Sequence, residues 1–122
     1  MDGNQPAASA RESLARGVAL FNRGEFFEAH EAMEEAMDRA DDEGNWEFFL
    51  GLLRASVANH KLSQGVVSGA ISHLQAALRY LAPYPDRHQG LKLRELRYAL
   101  NAQLDRLMRD RESPRAPQIE LT

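Results

Sequence analysis

Apolar residues recur at spacings of three and four almost throughout this chain of 122 residues, and this pattern constrains the fold more than any other feature. No stretch alternates apolar and polar residues with a period of two for long enough to argue for a β-strand. The predicted fold class is therefore all-α. The 43% hydrophobic and 27% charged residues are typical of a folded globular protein rather than a disordered chain.

Clusters of glycine, proline and aspartate break this periodicity and divide the chain into predicted helices. The five predicted helices span residues 9–22, 25–40, 45–64, 67–81 and 90–110. The connections between them are short, so neighbouring helices should pack antiparallel in one compact bundle. The third helix is apolar over most of its circumference, which predicts a central position with Leu53 and Val57 buried.

We expect one domain over residues 9–111, with a flexible tail on either side. Residues 1–8 and 112–122 lack apolar periodicity, and two prolines interrupt the second tail. Within the domain, the first two helices echo the next two at an offset of 41, since Gly24, Ala29, Met33 and Ala36 recur as Gly65, Ala70, Leu74 and Ala77. This pattern resembles the helical hairpins of tetratricopeptide proteins. Two copies indicate a bundle of two hairpins plus a fifth helix rather than a solenoid.

The composition excludes several classes of site. The chain has no cysteine, so a metal would have to be bound by His, Asp or Glu. The start of the chain has no basic region followed by an apolar run, and no window approaches the roughly 18 apolar residues of a membrane span. We therefore expect a cytoplasmic protein with no membrane partner.

The net charge of −3 is distributed unevenly along the chain. Residues 25–43 hold nine acidic residues against one arginine, whereas residues 87–115 hold eight basic residues against four acidic ones. The overall negative charge argues against nucleic acid as a partner. The two segments can instead lie against each other, in one chain or between two copies, which makes a homo-oligomer held by acidic and basic faces a hypothesis.

The second predicted helix combines an apolar stripe with one histidine and many acids. His30 is the polar member of that stripe, and most acids of the helix, Glu35 included, fall on the opposite, solvated side. Glu34 differs because it lies in line with Phe27 and Met37, one turn after His30. Its carboxylate is therefore expected to be half-buried near the imidazole.

The third predicted helix brings further polar groups towards this place. In an antiparallel pair, Arg54 comes level with the turn that carries His30 and Glu34, and His60 lies further along the same helix. We therefore predict a buried polar cluster beside the core, made of His30, Glu34 and His60 and supported by Arg54 and Glu31.

Residues 21–34, which read FNRGEFFEAHEAME, and the later Gly51-Leu52-Leu53 and His60 resemble a known prokaryotic family. This family is catalogued as domain of unknown function 309 and is marked by the motif His-x-x-x-Glu-x-x-Trp/Tyr. The resemblance implies a small helical bundle without an assigned reaction, in which His30 and Glu34 bind a metal. Met37 stands in place of the motif's aromatic residue and can only pack. Arg54 stands in place of the family's usual glutamine, and its charge opposes metal binding and favours an ion pair with Glu34.

Three functional hypotheses remain open. The first is a site for a divalent metal or a small ligand, with His30, Glu34 and His60 as the metal ligands. The second, from a different class, is a helical-hairpin module for protein–protein interaction, which predicts an exposed apolar groove instead of an enclosed polar pocket. A remote third is a ribonuclease of the HEPN class, whose Arg-x5-His motif resembles the spacing of Arg54 and His60.

Overall fold

The computed structural model describes residues 6–40, 43–110 and 115–122. In these residues the chain forms five α-helices: α1 (Pro6–Asn22), α2 (Phe26–Arg39), α3 (Trp46–Ser63), α4 (Val67–Leu81) and α5 (Leu93–Asp110). A short 3₁₀ turn, Glu43–Asn45, precedes α3, and a small hairpin of β1 (Arg87–His88) and β2 (Leu91–Lys92) precedes α5. The prediction of an all-α bundle is confirmed. Helix α1 begins earlier than expected, so residues 6–8 belong to it, while residues 1–5 and 111–114 lie outside the described residues.

The turns of the two predicted hairpins share one backbone geometry, as the offset of 41 residues suggests. Gly24 and Gly65 both have a positive φ, of 82° and 78°, which glycine adopts without steric cost. In each turn the residue after the glycine donates to a carbonyl five residues back, and the glycine N–H donates to a carbonyl three residues back. This is the Schellman arrangement, and it ends α1 and α3 in the same way.

Helix α3 lies at the centre of the bundle, as predicted. It packs against α2 on one side and α4 on the other. Ten of its residues are buried, Leu53 among them, while Val57 is only half-buried because it lies at the edge of the α2 contact. Residues of the neighbouring helices complete the core, among them Ala29 and Met33 of α2 and Leu74 of α4, all with no exposed surface.

Helices α3 and α4 approach each other closely at Gly51. A Cβ added at Gly51 would lie 2.7 Å from Leu81 and 3.3 Å from the carbonyl oxygen of Ala77. One turn after Gly51, Arg54 reaches His73 on α4, and Lys61 lies against Gly69. The polar strip of α3 that contains Arg54 and Lys61 is therefore beside α4.

A pair of buried amides joins α5 to the central helix. The Asn59 side chain donates to the Ala55 carbonyl at 3.0 Å, so its Oδ1 is left to accept from Gln103 Nε2 at 2.7 Å. Gln103 Oε1 is buried without a hydrogen-bond partner among the described residues. A buried amide is costly without a hydrogen-bond partner, so the bond between Asn59 and Gln103 favours one position of α5 along α3.

The prediction of a flexible tail over residues 112–122 is wrong for residues 115–122. Ile119 is 3% exposed, and both hydrogen-bonding groups of the Asn22 side chain bind its backbone, at 2.7 and 3.0 Å. Leu121 pairs with Leu91 beyond the hairpin, and Lys92 N–H donates to the Glu120 carbonyl at 2.9 Å. One apolar anchor and strand-like backbone bonds therefore suffice to dock a segment that has no helical periodicity.

None of the helices in the described ranges is long and apolar enough to cross a membrane.

Candidate functional site

A shallow pocket opens between the start of α2 and the last turns of α3. It has a volume of about 200 Å³ and is lined by Phe27, His30, Val57, His60 and Lys61. The antiparallel register of the two helices places Phe27 beside His60 and His30 beside Val57. We refer to these five residues as the α2–α3 pocket.

The centre of the α2–α3 pocket is an aromatic ring between two imidazoles. The ring centroid of Phe27 lies 5.7 Å from that of His30 and 5.5 Å from that of His60. Phe27 is nevertheless 47% exposed, although a ring of this size is normally covered in a protein core. The structure thus brings His30 and His60 to the same pocket but separates them by an apolar ring.

The prediction that Glu34 is half-buried is wrong. Glu34 is exposed, and no hydrogen bond or ion pair joins it to His30, Arg54 or any other described residue. The error has a geometric cause, since α2 is covered by α1 on one side and by α3 on the other, and Glu34 falls on the open side between them. Glu31 is also exposed and lines a different depression, beside Arg16 of α1.

Glu35, rather than Glu34, is the half-buried acid of this part of α2. One of its carboxylate oxygens accepts from Ser13 at 2.7 Å, Arg16 at 2.6 Å and Arg39 at 3.0 Å. The hydrogen bonds from Arg16 and Ser13 hold the pKa of Glu35 below its ordinary value. This acid therefore joins α2 to α1 and is not part of the solvated face.

The prediction that Arg54 pairs with Glu34 is also wrong. The Arg54 guanidinium lies 3.0 Å from Nδ1 of His73, because the close α3–α4 contact at Gly51 turns the polar strip towards α4 rather than α2. Arg54 and His60, the pair that resembles the HEPN motif, consequently contact different partners, His73 in one case and Phe27 in the other.

The described residues contain no group of three His, Asp or Glu side chains that could hold a metal ion. His30 and His60 remain two imidazoles at one pocket, and Glu34 extends into solvent one turn further along α2. Metal binding by His30, Glu34 and His60 therefore stays a prediction, without a preformed cage in this conformation.

Sequence reasoning missed Lys61 and His73. Lys61 follows His60 directly and is half-buried at the mouth of the α2–α3 pocket. His73 is half-buried and bonded to Arg54. The available signal was Gly51, because a glycine on the polar strip of an otherwise apolar helix indicates that another helix approaches there.

His88 and Tyr84 belong to a structural cluster instead. His88 Nε2 lies 2.6 Å from the side-chain oxygen of Asn45, and the Tyr84 hydroxyl donates to the Gly44 carbonyl at 2.6 Å. Their rings pack on Phe48. They fasten the β-hairpin to the start of α3.

Comparison with known proteins finds a sequence family whose model covers the pocket, but the family has no assigned activity. A family model described as a domain of unknown function, DUF309, matches residues 14–73, a range that contains the α2–α3 pocket, Arg54 and His73. An uncharacterised protein of Aquifex aeolicus (strain VF5) is 28% identical over 109 residues, which cover 89% of this chain. The match covers 32% of that relative, so the chain spans about a third of its length.

Proposed function

We propose that this chain, which belongs to the DUF309 family, binds a small organic ligand in the α2–α3 pocket. No activity is described for that family, so the proposal depends on the site itself. The observation that carries this proposal is Phe27, a large apolar ring that stays 47% exposed between two imidazoles. Exposed apolar surface in a concave place with a few polar groups is the usual signature of a ligand site.

The chemistry of the lining defines the kind of ligand. Phe27 and Val57 offer apolar surface to an aromatic or aliphatic group. No described residue hydrogen-bonds the ring nitrogens of His30 or His60, so both imidazoles are available to donate to and accept from polar atoms of the ligand. The ligand is therefore a molecule with an apolar body and polar atoms on two sides of it.

Benzyl alcohol, a neutral aromatic probe, tests this function. Titration into isotopically labelled protein should shift the ring signals of Phe27, His30 and His60 in one saturable transition. Phe27→Ala should abolish the transition. Tyr98→Ala, which removes a ring that is 77% exposed on α5, is the matched control and should leave it unchanged. Shifts that never saturate, or that spread equally over Tyr98, would rule the pocket out.

The same samples test the metal alternative with Zn²⁺. If His30 and His60 hold a metal with Glu34, then each single alanine substitution of the three should remove Zn²⁺ binding, and a chelator should lower the Tm of the wild type alone. Loss of Zn²⁺ binding with both histidine variants but not with Glu34→Ala would leave a two-ligand site without the acid.

The rival function is an interaction module, and a specific observation favours it as the second candidate. The pocket is open rather than enclosed, and Trp46 at the other end of α3 is 48% exposed. A second copy of the chain, held by its acidic and basic segments, would cover this surface. Sedimentation at low and high salt tests the idea, because a salt-sensitive dimer that Trp46→Ser dissociates is expected for a module and not for a ligand site.

A further inference from the structure

The half-buried cations of the described chain fall into two groups. Lys92 and Arg97 have carboxylate partners, Glu120 at 3.6 Å and Asp86 at 3.0 Å. Arg54 and Lys61 are equally half-buried, but neither forms an ion pair with any described carboxylate. A cation that loses part of its hydration normally gains an acidic partner, so two such cations on one strip of α3 indicate a partner outside the described residues.

The contact between Arg54 and His73 determines where the imidazole carries its proton. A guanidinium has only N–H donors, so Nδ1 of His73 must accept, and the ring is neutral with its proton on Nε2. Burial, followed by the charges of Arg54 and Lys61, lowers the pKa of His73. The imidazole therefore adds a further donor and does not neutralise the two cations.

The packing of α3 on α4 brings Arg54 and Lys61 near His73, because Arg54 contacts that imidazole and the charge of Lys61 also acts on it. Gly51 sets the close approach that brings Arg54 to His73. Gly69, on α4, lies beside the aliphatic stem of Lys61, since a Cβ there would lie 3.5 Å from its Cδ, an ordinary van der Waals contact. Lys61 also lines the α2–α3 pocket, so it connects the pocket with Arg54 and His73.

We propose that Arg54 and Lys61, beside the neutral imidazole of His73, form an oxyanion subsite, which binds the phosphate or carboxylate of a ligand whose apolar part lies against Phe27. This inference rests on the proposed function and names the ligand class: an aromatic or aliphatic oxyanion. Both side chains present donors only, and charge-assisted bonds from a guanidinium and an ammonium are the common means of holding such groups. Two cations without an ion pair among the described residues can attract one anion locally, although the protein as a whole is acidic.

Inorganic phosphate is the first probe, titrated at constant ionic strength against chloride. Saturable binding that shifts the ring nitrogen signals of His73 and raises the Tm is expected. Arg54→Gln should remove the binding, and Lys61→Gln, which leaves the contact between Arg54 and His73 intact, should weaken it about tenfold or more. Arg79→Gln, at an exposed arginine of α4, is the matched control and should change nothing.

Phenyl phosphate and benzoate then identify the group that the subsite prefers. A ligand that occupies both places should bind about tenfold or more tightly than phosphate alone, because the second contact becomes intramolecular. Tighter binding of phenyl phosphate assigns a phosphate, and tighter binding of benzoate assigns a carboxylate.

The outcomes separate this inference from the function on which it rests. Phosphate binding that is absent, or that is unchanged in both Arg54→Gln and Lys61→Gln, overturns the oxyanion subsite, even where benzyl alcohol still binds and supports the pocket. Phosphate binding that both variants lose supports the subsite, even where benzyl alcohol fails to bind and the pocket is rejected. Circular dichroism of each variant shows that it is folded before its binding is compared.

Discussion

Glu35 accepts three hydrogen bonds at one carboxylate oxygen, from Ser13 and from two arginines, whereas Glu34, its neighbour in sequence, has none. A step of one residue turns a side chain by about 100° around an α-helix, and here that angle separates the contact with α1 from open solvent. The role of each acid thus depends on which sides of α2 are covered, which is a property of the whole bundle.

For single residues, we predict that alanine substitutions at these two neighbouring acids change the Tm differently. Glu35→Ala should lower the Tm, because it removes the acceptor for Ser13, Arg16 and Arg39, whereas Glu34→Ala should leave the Tm unchanged. Thermal unfolding followed by circular dichroism measures both. Since the pKa of Glu35 is lowered on folding, its contribution is present above the unfolded pKa near 4.5 and is lost as pH falls through the folded value. Equal Tm values for the two variants would contradict the arrangement.

His73 gives a second prediction, at milder pH. Its pKa is lowered from 6.5 on folding, so below pH 6.5 the unfolded chain binds a proton that the folded chain does not. The stability that the neutral ring contributes is therefore present above pH 6.5 and decreases on acidification through the folded pKa. Urea unfolding at pH 7.5 and 5.5 should show a smaller loss in His73→Gln than in the wild type, and an identical loss would exclude this role.

The candidate site was predictable from sequence only in part. His30 and His60 were expected in one polar cluster, and both line the α2–α3 pocket, but the ring of Phe27 lies between them. The partner of Arg54 was not predictable in the same way. Periodicity shows that a helix has a polar strip, but it does not show whether the preceding or the following helix lies beside that strip.

The helices themselves follow closely from local signals. The boundaries of α4 are those predicted, and the ends of α1 and α3 agree to within a residue or so, because glycines of positive φ stop them. The β-hairpin before α5 was missed, since strands of two residues are too short to show a period.

At the scale of elements, the contact of α3 with α4 yields a prediction about two glycines. Gly51→Ala should lower the free energy of unfolding by about 1–3 kcal/mol, because the new methyl group would overlap Leu81, which is fully buried, and crowd a backbone oxygen. Gly69→Ala meets only the flexible ends of Val66 and Lys61, and its higher helix propensity offsets the crowding. Chemical denaturation of both variants checks this, and a Gly51→Ala protein as stable as the wild type would disprove the close approach.

For the whole molecule, the C-terminal segment is the feature that sequence reasoning judged wrongly. The interpretation as a tail rested on the prolines and on the small amount of apolar surface, both of which are real. That interpretation did not take Asn22 into account. Its side chain binds the backbone of Ile119 as a neighbouring strand would, and this holds the short extended segment against the bundle. A contact between residues 97 positions apart leaves no trace in local periodicity.

Truncation of the anchor tests the importance of this segment. Ile119→Ala should lower the free energy of unfolding by about 2–5 kcal/mol, the usual cost of emptying a buried isoleucine site. Leu121→Ala, at a side chain that is 63% exposed, should cost less than about 0.5 kcal/mol. Equal effects of the two substitutions would indicate that the segment is not docked in solution.

The hydrogen bonds between Asn22 and Ile119 also lead to a prediction about the stage of folding at which the C-terminal segment docks. They close a loop of 97 positions, and such a closure costs more chain entropy than the short turns within either hairpin. Docking of residues 118–122 should therefore come after the rate-limiting step, once the helices have assembled. Stopped-flow measurements on Ile119→Ala should then show faster unfolding and an almost unchanged refolding rate, which is the kinetic behaviour of a latch that closes last.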